Sequence, residues 1–404
     1  MVSVDDALRR ILGNFSPLPA ERVPIIDSVG MVLAEDVVAR ENIPPFRNSA
    51  MDGYAVRAGD TWTAPASLRV IGTVAAGAVS DHPVQSGEAM RIMTGAPLPD
   101  GADTVVRFEE TDELERDPGS GSIDIQRRMR TGENVREPGE DIRAGSVALS
   151  AGCRLRPAEI GVLASLNEAS VAVHRRPRVA ILSTGDEVVD IGGQLRPGQI
   201  RNSNSYTIAA MVKRCGGVPV LLGVARDTSE DLRAKLDGAG DPDMFVTSGG
   251  VSLGDYDMVK DVLRSEGSID IWQVRMKPGK PLAFGTIGSA PLLGLPGNPA
   301  AALVSFEQFG RPAMLTMLGR KDVRIPEVTA RLTERITNHG RRRHFVRSVL
   351  TRGEDGFEVR TTGIQGAAIL SAVVQSNCFL VVDETCDVVE AGTMVTVQLP
   401  DEGI

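Results

Sequence analysis

Carboxylates, bare backbone amides and a close pair of lysines recur in this chain where apolar strands should end. The densest stretch is residues 246–260. It runs from a strand end through Ser248, Gly249 and Gly250 to a further hydroxyl at Ser252, the acids Asp255 and Asp257, and a helical start. Glycine has no Cβ, so its backbone can approach a bulky anion and adopt positive φ. Free N–H groups opening a helix suit a phosphate. Carboxylates beside such a cradle suit Mg²⁺, which takes few of them and keeps its waters. Asp186 and Glu187, Asp227, and the turn Pro296, Gly297, Asn298 and Pro299 follow other apolar runs. Lys277 and Lys280 flank a Pro-Gly turn. Two ammoniums so close raise each other's energy unless an anion joins them. Magnesium would neutralise oxygen charge developing as a phosphoanhydride breaks. No Ser–His or Cys–His pair is evident, which favours direct attack by water or an oxyanion substrate over covalent catalysis.

The elements that must position these groups alternate in type. Apolar strands at 179–182, 220–224, 244–246, 269–274, 282–286 and 292–295 are interleaved with helices, one with Ile208, Met211 and Val212 on its buried face. That alternation predicts a mostly parallel sheet covered on both faces. In such sheets ligands sit outside the carboxyl ends of the strands, where the polar groups above would converge. Near the N-terminus, Ser3 caps an amphipathic helix carrying Val4, Ala7, Leu8, Ile11 and Leu12, expected to pack or to dimerise. Residues 29–41 look helical or extended. Short β runs at 68–74, 88–93, 104–108 and 123–126 predict a small inserted β domain. Its polar loops 91–97 and 134–142, taken singly, are ordinary turns. Pro157 opens a second amphipathic helix. From about 326 to 400 short strands predict a small β domain or barrel. The basic run 341–347 is expected as a charged strand edge, with an anion site as its competitor.

Composition narrows the function. The 404 residues are 42% hydrophobic and 24% charged, as in a folded soluble protein of several domains. Aromatics at 4% and a net charge of −9 disfavour nucleic acid as a partner. The four cysteines and four histidines show no metal-ligand spacing. With no apolar run near 18 residues and no charged-then-apolar leader, a cytoplasmic protein without a membrane partner is expected.

The order of these motifs resembles the molybdopterin molybdenumtransferase family, bacterial MoeA and the eukaryotic gephyrin E domain. The resemblance rests on residues 48–55, 93–97, 183–187, 247–254, 277–281 and 294–299, and it covers nearly the whole length. It implies an α/β multidomain protein with a MogA-like molybdopterin-binding α/β domain at 176–318. To this it adds an elongated helical dimerisation domain from 1–45 with 146–175, an inserted β domain at 46–145 and a C-terminal β barrel at 319–404. It implies a homodimer in which Asp52, Thr94, Arg136 and Asp141 of one subunit line the crevice of the other. The implied reaction takes adenylylated molybdopterin and molybdate, releases AMP with Mg²⁺, and leaves molybdenum on the dithiolene sulfurs. Asp186, Glu187, Asp227 and Asp257 would serve the metal and the cleavage, while Lys277, Lys280 and Arg347 would hold anions including molybdate. Contact with the upstream MogA-type adenylyltransferase is also implied. The alternatives are that adenylyltransferase step itself or a scaffold of the gephyrin type. Arg47, Ala301 and Ala367 stand where the family often has Asp, Ser and Ser, which bears on molybdate against tungstate.

Overall fold

The computed structural model describes residues 1–115, 121–250 and 267–400. Its centre is a six-stranded sheet. The strands lie in the order Val218–Ala225, Arg178–Thr184, Met244–Ser248, Ala290–Leu295, Pro281–Ile287, Gly267–Gln273. The first four are parallel and the last two antiparallel. Arg178–Thr184 connects through the helix Asn204–Arg214 to one side, and the chain then crosses to Met244–Ser248 on the other. The order therefore reverses between Thr184 and Ser248, the switch point at which an open sheet leaves a crevice.

Helices cover the sheet because its strands carry continuous apolar runs, as double-faced burial requires. Ile208, Met211 and Val212 of Asn204–Arg214 are buried, on the face expected from their spacing. After Asn298 the chain runs helically as Pro299–Ser305, a π turn at Phe306–Gly310, and Arg311–Met317. The N-terminal helix Val4–Leu12 is capped by Ser3, whose Oγ accepts from Asp6 N at 3.1 Å. Val4, Ala7 and Ile11 enter the same apolar cluster as Phe284, Phe306 and Phe309, so this helix packs on the α/β layer.

Around this layer the structure is mainly β. A five-stranded sheet holds Gly53–Val56, Ala66–Val74, Glu88–Ile92, Thr104–Arg107 and Ser122–Ile125, close to the expected runs. The stretch expected to be an elongated helical region differs. It contains the helices Val4–Leu12 and Pro157–Ser165, but much of the remainder pairs as the ribbons Ala20–Pro24 with Ser170–His174 and Val37–Val38 with Val147–Leu149. Its buried residues, such as Leu33, Val37, Val171 and Val173, include β-branched ones that suit pleated pairing.

At the C-terminal end Arg343–Gly353, Gly356–Thr361, Glu327–Leu332, Met394–Gln398 and Cys378–Val382 close into a barrel, since the last strand pairs back to the first. Arg343–Gly353 is bordered on both sides, so the basic run is not the solvated edge expected of it. It is joined in parallel by Met276–Lys277, which leaves the α/β sheet and places Lys277 opposite His344.

Candidate functional site

At the switch point a crevice of about 750 Å³ opens at the carboxyl ends of the parallel strands. Its floor is built by glycine. Gly249 has φ +92, and a Cβ there would lie 2.7 Å from Thr184 O and 2.9 Å from Thr184 Oγ1. Gly250 also has positive φ, at 65. The facing turn comes close enough that a Cβ on Gly297 would be 3.7 Å from the Gly249 Cα. At Gly249 only bare backbone fits, while the Gly297 turn stands at van der Waals distance from it.

Polar side chains hold those loops. Asn204, opening its helix, donates through Nδ2 to Ser248 Oγ at 2.7 Å and to Gly297 O at 2.8 Å. Ser183 Oγ donates to Asn202 Oδ1 at 2.9 Å and lies 2.8 Å from Ser205 Oγ. Thr184 Oγ1 and Asn202 Nδ2 are buried at the crevice with no hydrogen-bond partner among the described residues, a state that a polar ligand would relieve. The run from Asn202 to Ser205, which leads into the helix carrying Ile208, is not among the site residues expected from sequence. Its signal was a string of four amide and hydroxyl residues directly after a strand, richer than one N-cap requires.

Glu187, Asp227, Ser248, Gly249, Gly250 and the turn Pro296, Gly297, Asn298 and Pro299 all line the crevice. Asp186 is tied to it reciprocally: Asp186 N donates to Asp227 Oδ2 and Asp227 N to Asp186 Oδ1, both at 3.3 Å. This leaves two carboxylates together at the solvent-facing rim. Ser252, Asp255 and Asp257 lie outside the described residues. Among the described residues no group of three or more His, Cys, Asp or Glu forms a complete metal cage. An open pair of carboxylates with room for water still matches the few protein ligands that Mg²⁺ takes.

A basic cluster adjoins the crevice behind a barrel loop. Ala300 and Ala301 N–H donate to Ala367 O at 3.0 and 3.3 Å, and Ala368 reaches the crevice wall. Behind that loop Arg347 is 0% exposed, with Nη2 donating to Gly366 O at 3.2 Å and Nε and Nη1 unpartnered. Burial lowers its affinity for the proton. Lys277 is pushed down as well, by burial and then by Arg342 and Arg347. His344 is 3% exposed with both ring nitrogens unpartnered, and burial and then Lys277 push it down to about 3. Gly279 packs its Cα against Ser305, since a Cβ would lie 2.5 Å from that buried, unpartnered hydroxyl. Cationic groups gathered this closely, with buried donors unpartnered, have the chemistry that suits an oxyanion. Of the residues expected to hold anions, Lys277 and Arg347 meet here, and His344 belongs to the 341–347 run weighed as an anion site; Ser305 was not singled out, because only helix packing brings it beside the Gly279 turn.

Asp52, Thr94, Arg136 and Asp141 lie elsewhere, and none lines the crevice of its own chain. Asp52 Oδ1 accepts from Thr94 N at 2.7 Å and Thr94 Oγ1 at 2.9 Å, which holds its carboxyl below the usual range. Arg136 pairs opposite Asn48 in a two-stranded ribbon, and Asp141 N donates to Ile43 O at 3.0 Å. All four are exposed.

Comparison with known proteins agrees with this arrangement. Residues 2–167 match the profile of the MoeA N-terminal region (domain I and II), 180–316 the probable molybdopterin binding domain, and 329–399 the MoeA C-terminal region (domain IV). The chain is 36% identical over 402 residues to the molybdopterin molybdenumtransferase of Haemophilus influenzae, covering 98% of each. It is 39% identical over 386 residues to molybdopterin molybdenumtransferase 2 of Mycobacterium tuberculosis, covering 93% of this chain and 94% of that one. A crystal structure of a molybdopterin biosynthesis MoeA protein from Pyrococcus horikoshii superposes with a TM-score of 0.86 at 29% identity, covering 99% of this chain and 100% of that one. From its profiles, its relatives and its fold, the chain belongs to the molybdopterin molybdenumtransferase family.

Proposed function

We propose that this protein acts in molybdenum cofactor biosynthesis, inserting molybdate-derived molybdenum into adenylylated molybdopterin with release of AMP. The observation that carries this is the adjacency of a glycine-floored crevice to a buried basic cluster. The first suits a phosphate-linked pterin and the second a small tetrahedral oxyanion. Backbone amides of Gly249 and Gly250 and the hydroxyl of Ser248 would orient the phosphoanhydride. Asn204 holds that hydroxyl and the facing turn in register. Lys277, Lys280 and Arg347 would position molybdate, with the unpartnered Arg347 donors supplying charge-assisted bonds. Asp186, Glu187 and Asp227, with Asp257, would hold Mg²⁺. Bound there, magnesium would neutralise charge on the phosphate oxygens as the anhydride breaks.

Asp52, Thr94, Arg136 and Asp141 would act across a homodimer interface, which agrees with their exposure and their distance from their own crevice. Contact with a MogA-type adenylyltransferase would deliver the adenylylated pterin. No described helix is long and apolar enough to cross a membrane, and a cytoplasmic site of action is part of the same proposal. The test is incubation with adenylylated molybdopterin, Mg²⁺ and either molybdate or tungstate, following AMP and metal-bound cofactor together. Oxyanion-dependent AMP release with matching cofactor formation is expected. ATP-dependent adenylylation of molybdopterin without metal insertion would instead identify the adenylyltransferase reaction.

A further inference from the structure

Arg201 is the one cation among the described residues that line the crevice; Lys277, Lys280 and Arg347 are not part of that lining. The acids of the same lining are Glu187 and Asp227. The strand Ile200–Arg201 pairs in parallel with Val188–Val189. Ile200 N donates to Glu187 O at 2.8 Å and Asn202 N to Val189 O at 2.9 Å. Main-chain bonds on both sides of Arg201 therefore hold it beside the segment that carries Glu187.

Its side chain has a structural task. Nη1 donates to Asp190 O at 3.2 Å and also to Gly193 O, which braces the turn between them. The Asp190 carboxylate in turn accepts from Tyr206 OH and from Ile191 N, both at 2.9 Å. Tyr206 belongs to the helix that Asn204 opens, so the brace is tied to the crevice floor. This bracing occupies one nitrogen and engages only neutral carbonyls, which leaves the charge in place. The Nε–Nη2 edge of the exposed guanidinium has no partner among the described residues. That edge is the fork that meets two oxygens of a phosphate at once.

We propose that Arg201 is a substrate-binding residue whose Nε–Nη2 edge grips a phosphate of the nucleotide-linked ligand. The inference rests on the function proposed above and adds a residue to it. The amides of Gly249 and Gly250 and the Ser248 hydroxyl are neutral donors, and the two acids of the lining repel a phosphate unless a cation joins them. Arg201 supplies the fixed positive charge at the crevice itself, already oriented by Asp190 and Gly193. Lysine at this position would keep the charge and lose the fork.

The test is AMP titration of the full chain by calorimetry with Mg²⁺, alongside KM and kcat for adenylylated molybdopterin in oxyanion-dependent AMP release. Arg201→Ala and Arg201→Gln should each weaken AMP and raise KM by roughly tenfold or more, with kcat changed by less than about threefold. Arg201→Gln keeps a donor for the brace without the charge, and Arg201→Lys should recover part of the loss. Tyr206→Phe loosens the same turn but keeps the cation, so AMP affinity should stay within about threefold. Circular dichroism would verify the fold of each variant. Unchanged affinity and KM in both Arg201→Ala and Arg201→Gln, or an equal loss in Tyr206→Phe, would overturn the proposal. No saturable AMP binding by the wild type would overturn the phosphate assignment. Wild type that binds AMP but releases none from adenylylated molybdopterin would sink the proposed reaction, and the AMP titration alone would then decide on Arg201.

Discussion

Arg347 offers a prediction in which stability and activity move in opposite directions. It is wholly buried, and of its guanidinium only Nη2 has a partner, the Gly366 carbonyl at 3.2 Å. Each unsatisfied buried donor costs roughly 1–3 kcal/mol, whereas the bond to Gly366 contributes about 1–3. Methionine has a similar length and no charge to desolvate. The main-chain bonds between Arg347 and Gln365, at 2.9 and 3.0 Å, do not depend on the side chain. Arg347→Met should therefore leave stability unchanged or raise it by about 1–3 kcal/mol. If Nε and Nη1 meet the oxyanion, two charge-assisted bonds of about 1.5–3 kcal/mol each disappear. Oxyanion-dependent AMP release should fall by roughly 10²- to 10⁴-fold. Urea unfolding and a turnover assay on the same preparation measure both. A variant destabilised by more than about 2 kcal/mol that keeps wild-type turnover would refute the reasoning, and would make Arg347 a packing residue.

Further consequences follow from the crevice and the barrel. Gly249→Ala should cost about 1–2 kcal/mol from positive φ alone, with more from the contact at 2.7 Å with Thr184 O, and should cut turnover at least tenfold; a melt and an AMP assay read both. His344 has a folded pKa pushed down to about 3 from an unfolded 6.5, so the unfolded chain binds the extra proton between those values. Its contribution to stability is complete above about pH 6.5 and is lost as pH falls, by about 1.4 kcal/mol per unit. The difference in urea stability between wild type and His344→Gln, from pH 7 to 4, should show that slope. Asp257→Asn should cut oxyanion-dependent AMP release by roughly 10² or more, about 2.7 kcal/mol; wild-type turnover at saturating Mg²⁺ would remove that acid from the chemistry. Asp227→Asn should raise the Mg²⁺ concentration needed for half-maximal rate, measured by metal titration.

The crevice was legible because its information is local. Strands Arg178–Thr184 and Met244–Ser248 carry the apolar runs 179–182 and 244–246, and each hands the chain to glycine or acid after its carboxyl end. Period and punctuation alone therefore put Asp186, Asp227 and Gly249 on one edge. The ribbons of the N-terminal region were not legible. Ala20–Pro24 meets Ser170–His174 across nearly 150 residues of chain, and a pairing of such separation leaves no periodic trace. The basic run was misjudged for a related reason. Three adjacent arginines look solvated in sequence, yet barrel closure gives the strand neighbours on both sides and buries Arg347 while leaving Arg343 to reach Asp5 at 2.8 Å.

That last point explains why one site needs two domains. The glycine floor of the crevice at the sheet switch point belongs to the α/β domain, and the barrel adds Ala368 to its wall. A cation as poorly solvated as Arg347 cannot be supported by a loop. It needs a closed barrel to fix its backbone, and Val346, the next residue, is buried in that barrel's core. The parallel pairing of Met276–Lys277 with Arg343 and His344 brings the two parts into contact. The lysine loop that begins in the sheet is thereby completed by the barrel, beside Ser305 of the helix that follows the crevice turn. Loosening that pairing should separate anion affinity from pterin affinity, because the crevice floor depends on Gly249, Asn204 and Gly297, none of which belongs to the barrel.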